Sequence, residues 1–369
     1  MLYLGQASNY ISKTTYHLFA HGTPKDSSSL ISYLASHYNA PDTSIFLTNN
    51  GRSALCLGLK SFLKKGDAVV VNAFTCYAVI EAIRSAGLTP VFADIELTTL
   101  NYTPETLLSL LKSNKNIKAF IIQNTLGYPV DIRPFEKLKK DHHLLLIEDA
   151  AHCTSRLYPD GREIGTVGDI VAFSFGKGKS IDTITGGALL LHSTPIVPVS
   201  APVKSPSFAQ NFRARFYPFF GVFLRASIRL HLSRFVAGAL LKLHFIERSA
   251  DAPLDISRCL SHWQARLALE EFKKSKPTST PLRRFYLVKN RDILLKKLRD
   301  SGYYFDEFWY ESPISPKRYY KNIHFPESSC PNSIYASKHI INIPTWYSKS
   351  SLKSAESIIK HHIEEYQNE

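Results

Sequence analysis

The sequence predicts an α/β fold with a mainly parallel central sheet flanked by helices and a smaller C-terminal α/β domain. The chain has 369 residues, of which 44% are hydrophobic and 21% charged, so it can bury a large core. Short apolar runs typical of buried strands recur along its first half, and segments of helical spacing separate them. This alternation is typical of parallel sheets built from β-α-β units.

Taken in chain order, the predicted strands lie within six apolar runs. The runs span residues 67–75, 89–96, 117–125, 142–150, 169–179 and 186–193. Helices are predicted at Ala54–Leu63, Tyr77–Ala86 and Pro104–Lys112. Open parallel sheets bind ligands beyond the carboxyl ends of their strands. Polar residues that directly follow the runs are therefore the first candidates for chemistry.

A strongly basic segment follows the last run. Between Thr183 and Ile246 the chain has seven Lys or Arg residues and no acidic residue. Residues 219–245 are predicted to be helical. Their polar stripe would consist of Ser227, His231, Arg234, Gly238 and Lys242. The segment is therefore predicted to be a basic amphipathic insert at about 205–246.

The rest of the chain has an ordinary composition and is assigned to two domains. We predict a large domain over residues 1–250, which contains the basic insert, and a small domain over residues 251–369. A helix near 261–273 and strands near 303–309 and 339–343 are predicted in the small domain.

The net charge indicates which partners the protein could bind, and the cysteine content indicates the cellular compartment. The formal net charge of +14 favours anionic partners such as phosphates, nucleic acid or a membrane surface. The five scattered cysteines show no C-x-x-C pairing, which argues against a zinc site or a disulfide framework and favours a reducing cytoplasm. The sequence shows neither a secretory leader nor an apolar run of about 18 residues, so we expect no signal peptide and no spanning helix.

The first candidate site is N-N-G-R-S at 49–53, a glycine turn that leads into an apolar helix. A helix N-terminus presents free N–H groups and the positive end of the helix dipole, which suit a phosphate. Arg52 could add a charge-assisted hydrogen bond. An ordinary capped helix with a surface arginine is the alternative.

The second candidate is the pair Glu148 and Asp149, which ends a buried strand. Buried carboxylates are costly unless a cation, a metal or N–H groups meet them. The pair therefore indicates either a functional acid or an ordinary acidic loop after a strand.

The third candidate is S-F-G-K-G-K at 174–179, which also follows a predicted strand. Glycines allow close approach to a ligand, Ser174 offers a phosphate donor, and a lysine near a sheet edge suits Schiff-base chemistry. The P-loop pattern is absent, because the residue five positions before Gly178 is Phe173. Together the three candidates suit pyridoxal 5′-phosphate, which needs a phosphate site, a carboxylate and a lysine.

Several ordered motifs make the chain similar to one family. They are E-D-A-A-H at 148–152, G-R-E-I-G-T-V-G-D at 161–169, F-S-F-G-K-G-K at 173–179 and G-G-A-L-L-L at 186–191. Further matches are N-N-G-R-S-A-L at 49–55, V-V-V-N-A-F-T-C-Y-A-V-I-E-A-I at 69–83, L-S-H-W-Q-A-R-L-A-L at 260–269 and I-N-I-P-T at 341–345. In these segments the chain resembles the DegT/DnrJ/EryC1/StrS sugar aminotransferases, which are fold-type-I pyridoxal phosphate enzymes.

The resemblance implies a role for individual residues. It implies that Lys179, and not Lys177, binds the cofactor covalently, and that Asp149 pairs with the pyridinium nitrogen. His152 would lie beside the ring 3-oxygen. The phosphate would be held at Gly51 by Arg52, Ser53 and Ser174.

Some positions depart from the family pattern. The aromatic residue that stacks on the ring in the family is replaced by Cys76, with Tyr77 beside it as the candidate for stacking. The partner-subunit Asn and Arg of the family align near Ser257 and Cys259, which leaves phosphate contact across a dimer open. The pocket-lining candidates are Tyr303, Trp309 and Trp346.

The resemblance implies an aminotransferase that passes an amino group from an amino acid such as glutamate to a nucleotide-linked keto-sugar, for surface glycan or secondary metabolite synthesis. It also implies a homodimer with shared active sites. A sugar dehydratase is the enzymatic alternative. In the dehydratases of this family a histidine replaces the cofactor-binding lysine, so the presence of Lys179 counts against this alternative. The other alternative is a membrane-surface binding protein of the same fold, in contact through residues 208–245 and peripheral to the inner membrane face. No nucleic-acid motif accompanies the basic charge, so no nucleic-acid partner is expected.

Overall fold

The computed structural model describes residues 2–4, 18–229, 232–248, 250–252, 254–305 and 309–363. Its strands are β1 (Leu2–Tyr3), β2 (Ile45–Thr48), β3 (Ala68–Asn72), β4 (Thr75–Cys76), β5 (Thr89–Ala93), β6 (Ile117–Ile122), β7 (Leu145–Asp149), β8 (Ile170–Ser174), β9 (Gly187–Leu191), β10 (Arg283–Leu287), β11 (Tyr303–Tyr304), β12 (Ile314–Ser315) and β13 (Ile340–Pro344). Its helices are α1 (Pro24–His37), α2 (Gly51–Phe62), α3 (Tyr77–Ser85), α4 (Pro104–Ser113), α5 (Arg133–Asp141), α6 (Phe208–Arg229), α7 (Ser233–Lys242), α8 (His262–Lys274), α9 (Arg291–Asp300), α10 (Lys317–Tyr320), α11 (Pro331–His339) and α12 (Lys349–Lys360).

A seven-stranded sheet lies at the centre, in the order β2-β9-β8-β7-β6-β3-β5. The neighbours from β8 through β7, β6 and β3 to β5 pair in parallel, whereas β9 runs antiparallel to both β8 and β2. Each of the six apolar runs contains one of these strands. The prediction of a mainly parallel sheet flanked by helices is confirmed.

Both faces of the sheet are buried, which explains why its strands are continuous apolar runs. Val70 and Phe120 belong to the core on one face, together with Leu34 of α1. Their chain neighbours Val69 and Ile121 belong to the core on the other face, against α2 and α3. Successive side chains of a strand point to opposite faces, so every residue of β3 is buried.

The C-terminal part has its own small core. β10 pairs antiparallel with β13, and α9 and α12 pack beside them through apolar residues such as Leu294 and Leu352. Helix α8 instead packs in the core of the large sheet, where Phe272 lies fully buried beside residues of α1. The boundary predicted at residue 250 stays a prediction.

The basic insert forms two helices, α6 and α7, rather than one helical stretch over 219–245. Ser227 of the predicted polar stripe is buried. His231 and the side chain of Arg234 lie outside the described residues, as do residues 306–308 of the strand predicted at 303–309. None of the helices in the described part of the chain has both the length and the apolar character needed to cross a bilayer.

Candidate active site

A cavity of about 230 Å³ lies where β7 and β8 end beside the N-terminus of α2. It is the type of site expected at the carboxyl ends of parallel strands. The predicted site residues that line it are Gly51, Arg52, Asp149, His152, Ser174 and Lys179. Residues from three distant parts of the sequence therefore meet around one space.

The N-terminus of α2 points its free N–H groups toward this space. The Asn50 side chain caps the helix by accepting a hydrogen bond from the Ser53 N–H at 2.8 Å. A Cβ on Gly51 would lie 2.7 Å from the Cβ of Ser174, and a Cβ on Gly187 would lie 2.7 Å from the Gly51 nitrogen. Only glycine at these two positions lets the helix end approach β8 so closely, and this geometry suits a phosphate.

The adjacent acids Glu148 and Asp149 have separate roles. Glu148 is fully buried, and its carboxylate accepts hydrogen bonds of 2.6–3.0 Å from the Tyr158 hydroxyl and three backbone N–H groups. Asp149 accepts one hydrogen bond through Oδ1, from the Ala151 N–H at 3.0 Å, and its Oδ2 has none within the described residues. Burial raises the pKa of Asp149, and the nearby Lys179 opposes that shift. The Glu148 carboxylate therefore holds parts of the fold together through its hydrogen bonds, whereas Asp149 has a carboxylate oxygen available to a ligand in the cavity.

The two lysines of the glycine-rich loop also differ. Lys177 donates a hydrogen bond from Nζ to the Glu247 carbonyl at 2.6 Å. Lys179 Nζ makes no hydrogen bond in the described part of the chain and lies 4.5 Å from the centre of the Trp309 ring. Removal from water lowers the pKa of Lys179, and the Asp149 carboxylate opposes part of that shift. The lowered pKa gives the Lys179 amine a larger neutral fraction near pH 7 than an ordinary lysine has, which favours its reaction with an aldehyde.

His152 presents a neutral imidazole with a defined tautomer. Its Nδ1 accepts a hydrogen bond from the Leu126 N–H at 3.2 Å, so the proton of the neutral ring lies on Nε2. The ring stacks on Trp309 with centroids 4.9 Å apart. Burial, with added repulsion from Lys179, lowers the pKa of His152 well below its usual value. The site therefore contains an N–H donor that stays uncharged at neutral pH.

This shift predicts a specific pH dependence of stability. Unfolding returns His152 to a pKa of about 6.5, so in mild acid the unfolded chain binds a proton that the folded chain does not. Stability is therefore lost as the pH falls below about 6.5. We expect the thermal midpoint of His152→Gln to fall less between pH 7 and pH 5 than that of the wild-type protein. The exposed His142→Gln is the control, and an equal fall in all three proteins would contradict the prediction.

Two predicted cofactor residues do not line the cavity. Ser53 is fully buried, and its hydroxyl donates to the Asp255 carbonyl at 3.2 Å. The Tyr77 ring stacks on Tyr319 with centroids 4.2 Å apart. Cys76 lines the cavity at the position beside Tyr77. Tyr77 therefore has a stacking partner other than the contents of this cavity.

Several residues that shape the site were not predicted from the sequence. Gln264 of α8 donates from Nε2 to the Thr183 and Thr185 carbonyls at 2.9 and 3.0 Å, which fixes the end of the lysine loop. From the basic insert, Arg213 and Tyr217 line the cavity. The position of Gln264 in the motif at 260–269 was visible in the sequence, whereas the packing of the insert over the cavity had no sequence signal.

Comparisons with known proteins identify the family and the fold of this chain. The family model of the DegT/DnrJ/EryC1/StrS aminotransferases matches residues 42–361. The chain belongs to this family. Its solved structural neighbours include a sugar aminotransferase from Streptococcus pneumoniae in its PMP form, with a TM-score of 0.66, 18% identity and coverage of 95% of this chain and 94% of that one. PseC from Helicobacter pylori, an aminotransferase of pseudoaminic acid biosynthesis, superposes with a TM-score of 0.64, 16% identity and 98% coverage of both chains. The fold-type-I architecture is therefore confirmed.

Curated relatives of this DegT/DnrJ/EryC1/StrS protein match over a shorter stretch. GDP-perosamine synthase from Vibrio cholerae is 35% identical over 150 residues, which is 40% of each chain. A dTDP-4-dehydro-2,6-dideoxy-D-glucose 3-dehydratase from Saccharopolyspora spinosa is 33% identical over 156 residues, 40% of this chain and 33% of that one. The matched stretch thus spans about two fifths or less of these relatives' lengths, and both aminotransferases and a dehydratase occur among them.

The residues present fit pyridoxal phosphate, the cofactor of the family. The cavity brings together the Lys179 amine, a carboxylate oxygen of Asp149 and the N–H groups at the start of α2, and neither the amine nor that oxygen has a hydrogen-bond partner among the residues that the structure describes. Ser174 lies beside that helix end. These are the groups that an aldehyde, a ring nitrogen and a phosphate require. No cluster of His, Cys, Asp or Glu suited to a metal occurs among the described residues.

Proposed function

We propose that the protein is a pyridoxal phosphate-dependent aminotransferase that moves an amino group from an amino acid, with glutamate the first candidate, to a nucleotide-linked keto-sugar. The observation that supports this most directly is the Lys179 amine in one cavity with the Asp149 carboxylate, at the N-terminus of α2. Family membership supports the same reaction class.

Different residues of the site would bind the cofactor and move the proton. The start of α2, with Ser174, would hold the phosphate, and Asp149 would hold the ring nitrogen in its protonated form. The bound cofactor supplies an electron sink for bond cleavage at the substrate α-carbon. Lys179 Nζ would take up the proton from the substrate α-carbon and deliver it to the former aldehyde carbon of the cofactor, and its lowered pKa makes the uptake easier near neutral pH. His152 would donate a hydrogen bond from Nε2 to the ring oxygen of the cofactor, and Trp309 stacks on His152 and lies beside Lys179.

Lys179 also distinguishes transamination from dehydration. In the dehydratases of this family the lysine is replaced by histidine, whereas this chain keeps the lysine. An aminotransferase requires an amine at this place to bind the cofactor covalently and to move the proton. Lys179 therefore supports an aminotransferase over a dehydratase.

The proposal is tested with the purified protein, pyridoxal phosphate, glutamate and a panel of nucleotide-linked keto-sugars. The expected result is a product whose mass shows replacement of a keto oxygen by an amine, together with formation of 2-oxoglutarate. Loss of the keto-sugar with release of water and no amine gained would support the dehydratase. No reaction with any sugar or any amino donor, despite bound cofactor, would contradict the proposal.

We also propose a cytoplasmic homodimer with shared active sites, as the family resemblance implies. All five cysteines are free thiols, which suits a reducing compartment. Sedimentation of the holoenzyme should give about twice the chain mass of 41.6 kDa. A monomer at micromolar concentration would contradict this assembly.

For the basic insert we propose contact with an anionic lipid surface. Helices α6 and α7 expose large apolar side chains, among them Phe208 at 87% and Phe235 at 77% of their full accessible areas. The surrounding stretch from Thr183 to Ile246 contains basic and no acidic residues. Exposed aromatic rings together with positive charge favour adsorption to anionic headgroups.

Flotation with lipid vesicles checks this contact. We expect the protein to float with vesicles that contain phosphatidylserine, and less with neutral phosphatidylcholine vesicles. The double variant Phe208→Ser/Phe235→Ser should remain at the bottom, whereas Ile293→Ser, at another exposed apolar position, should still float. If the double variant changes only the sedimentation of the free protein, the exposed face binds a second copy of the chain and the lipid proposal is wrong.

A further inference from the structure

A second cavity, of about 300 Å³, also borders Lys179 and has no residue of the insert in its described lining. Lys179 lines both cavities. The second cavity is also lined by its neighbours in the loop after β8, by the loop after β7, by the end of α8 and by the chain around β10 and β13. Its lining is rich in hydroxyl groups: Thr154, Ser155, Ser180, Ser275, Thr278, Thr280 and Thr345. Such a lining suits a polar ligand rather than an apolar one.

Arg156 gives this cavity a buried positive charge. Its side chain donates hydrogen bonds to the Thr280 carbonyl at 2.9 Å, the Thr154 carbonyl at 3.3 Å and the Ser180 hydroxyl at 2.5 Å. Within the described part of the chain Nη2 makes no hydrogen bond, and no acidic side chain there forms an ion pair with this arginine. The residue is 7% exposed. A guanidinium stays protonated even when buried, so an anion in the cavity would stabilise it.

The acids of the lining restrict which anion fits. Asp182 accepts hydrogen bonds from the Gly178 and Ile184 N–H groups at 2.7 and 2.9 Å, and Glu271 also borders the space. These negative charges disfavour a phosphate dianion more than a single carboxylate. Trp346 offers one more donor, because its buried Nε1 has no hydrogen-bond partner among the described residues.

We propose that this second cavity is a carboxylate-binding site built around Arg156. Because Nε and Nη1 of Arg156 already donate to the protein, Nη2 is the nitrogen left to donate charge-assisted hydrogen bonds to a carboxylate oxygen. As an extension that rests on the proposed function, the site takes the carboxylate of the amino-acid donor, because the cavity borders Lys179.

The test uses the full chain freed of cofactor, with glutarate as the carboxylate probe and inorganic phosphate as the competing anion, both measured by calorimetry. We expect saturable glutarate binding that Arg156→Gln weakens about tenfold or more. Phosphate binding, which belongs to the α2 site, should not depend on Arg156. Arg266→Gln, which removes an exposed arginine outside both cavities, should bind glutarate as the wild-type protein does.

A second variant guards against misfolding, since Arg156 also joins backbone carbonyls. Ser275→Phe fills part of the cavity and leaves Arg156 in place, and it should also weaken glutarate binding. The proposal is overturned if wild-type protein binds no glutarate, if both folded variants bind it unchanged, or if only phosphate binding depends on Arg156. Because these measurements need no cofactor, covalent attachment of pyridoxal phosphate to Lys179 would still stand if the carboxylate site failed.

Discussion

Replacing Lys179 with alanine is expected to abolish covalent attachment of pyridoxal phosphate and to lower transamination by about 1,000-fold or more. The reason is that Lys179 provides the amine that binds the cofactor and the base that moves the proton. Within the described residues its Nζ makes no hydrogen bond, and its pKa is lowered by removal from water. The alanine variant should still fold, because no hydrogen bond is lost.

Borohydride reduction followed by peptide mass mapping measures this effect. In wild-type protein the reduced cofactor should remain on the peptide that contains Lys179, and the protein should be yellow before reduction. Lys177→Ala is the matched control, because that lysine lies two residues away and donates to the Glu247 carbonyl. Attachment that persists in Lys179→Ala, or that disappears only in Lys177→Ala, would show that the assignment of the reactive lysine is wrong.

The central sheet was predictable because its signal is local. Continuous apolar runs identify strands buried on both faces, and all six runs contain strands. Helix α1 was not predicted, although it packs fully buried leucines such as Leu34 against the sheet. Its position depends on contact with α8, about 230 residues later in the chain, and no local pattern specifies such a contact.

The candidate site was predictable where a motif fixes a residue at a strand or helix end. Ser174 and Asp149 end strands, and Gly51 begins a helix, so the topology brings all three to one edge. Tyr77 illustrates the limit, because its neighbour Tyr319 comes from helix α10, which lies far away in the sequence. Arg156 is a second example. Its burial beside an open cavity depends on the chain around Thr280, and nothing in the sequence near position 156 indicates it.

Substitutions of the adjacent acids Asp149 and Glu148 should have opposite effects on turnover and on stability. Asp149→Asn should lower turnover by about 100-fold or more, because a neutral amide cannot balance a protonated ring nitrogen. Burial raises the pKa of Asp149, which means that its carboxylate is held at an energetic cost. The cofactor-free Asn variant should therefore unfold at the same temperature as the wild-type protein or at a higher one.

Glu148→Gln should have the opposite signature. Its carboxylate accepts four hydrogen bonds, and a glutamine would place an NH₂ group against some of those donors. A loss of about 1–3 kcal/mol in the free energy of unfolding is expected, with turnover per folded molecule nearly unchanged. Denaturant titrations measure the stability of both variants, and kcat measures their turnover. Together they show which carboxylate acts in catalysis and which in stability. If Glu148→Gln loses turnover without losing stability while Asp149→Asn keeps its turnover, the carboxylate that serves the ring nitrogen is Glu148. That result would conflict with the structure, in which backbone N–H groups already donate to both oxygens of Glu148. A carboxylate that accepts four hydrogen bonds from the protein has no oxygen left for a ligand.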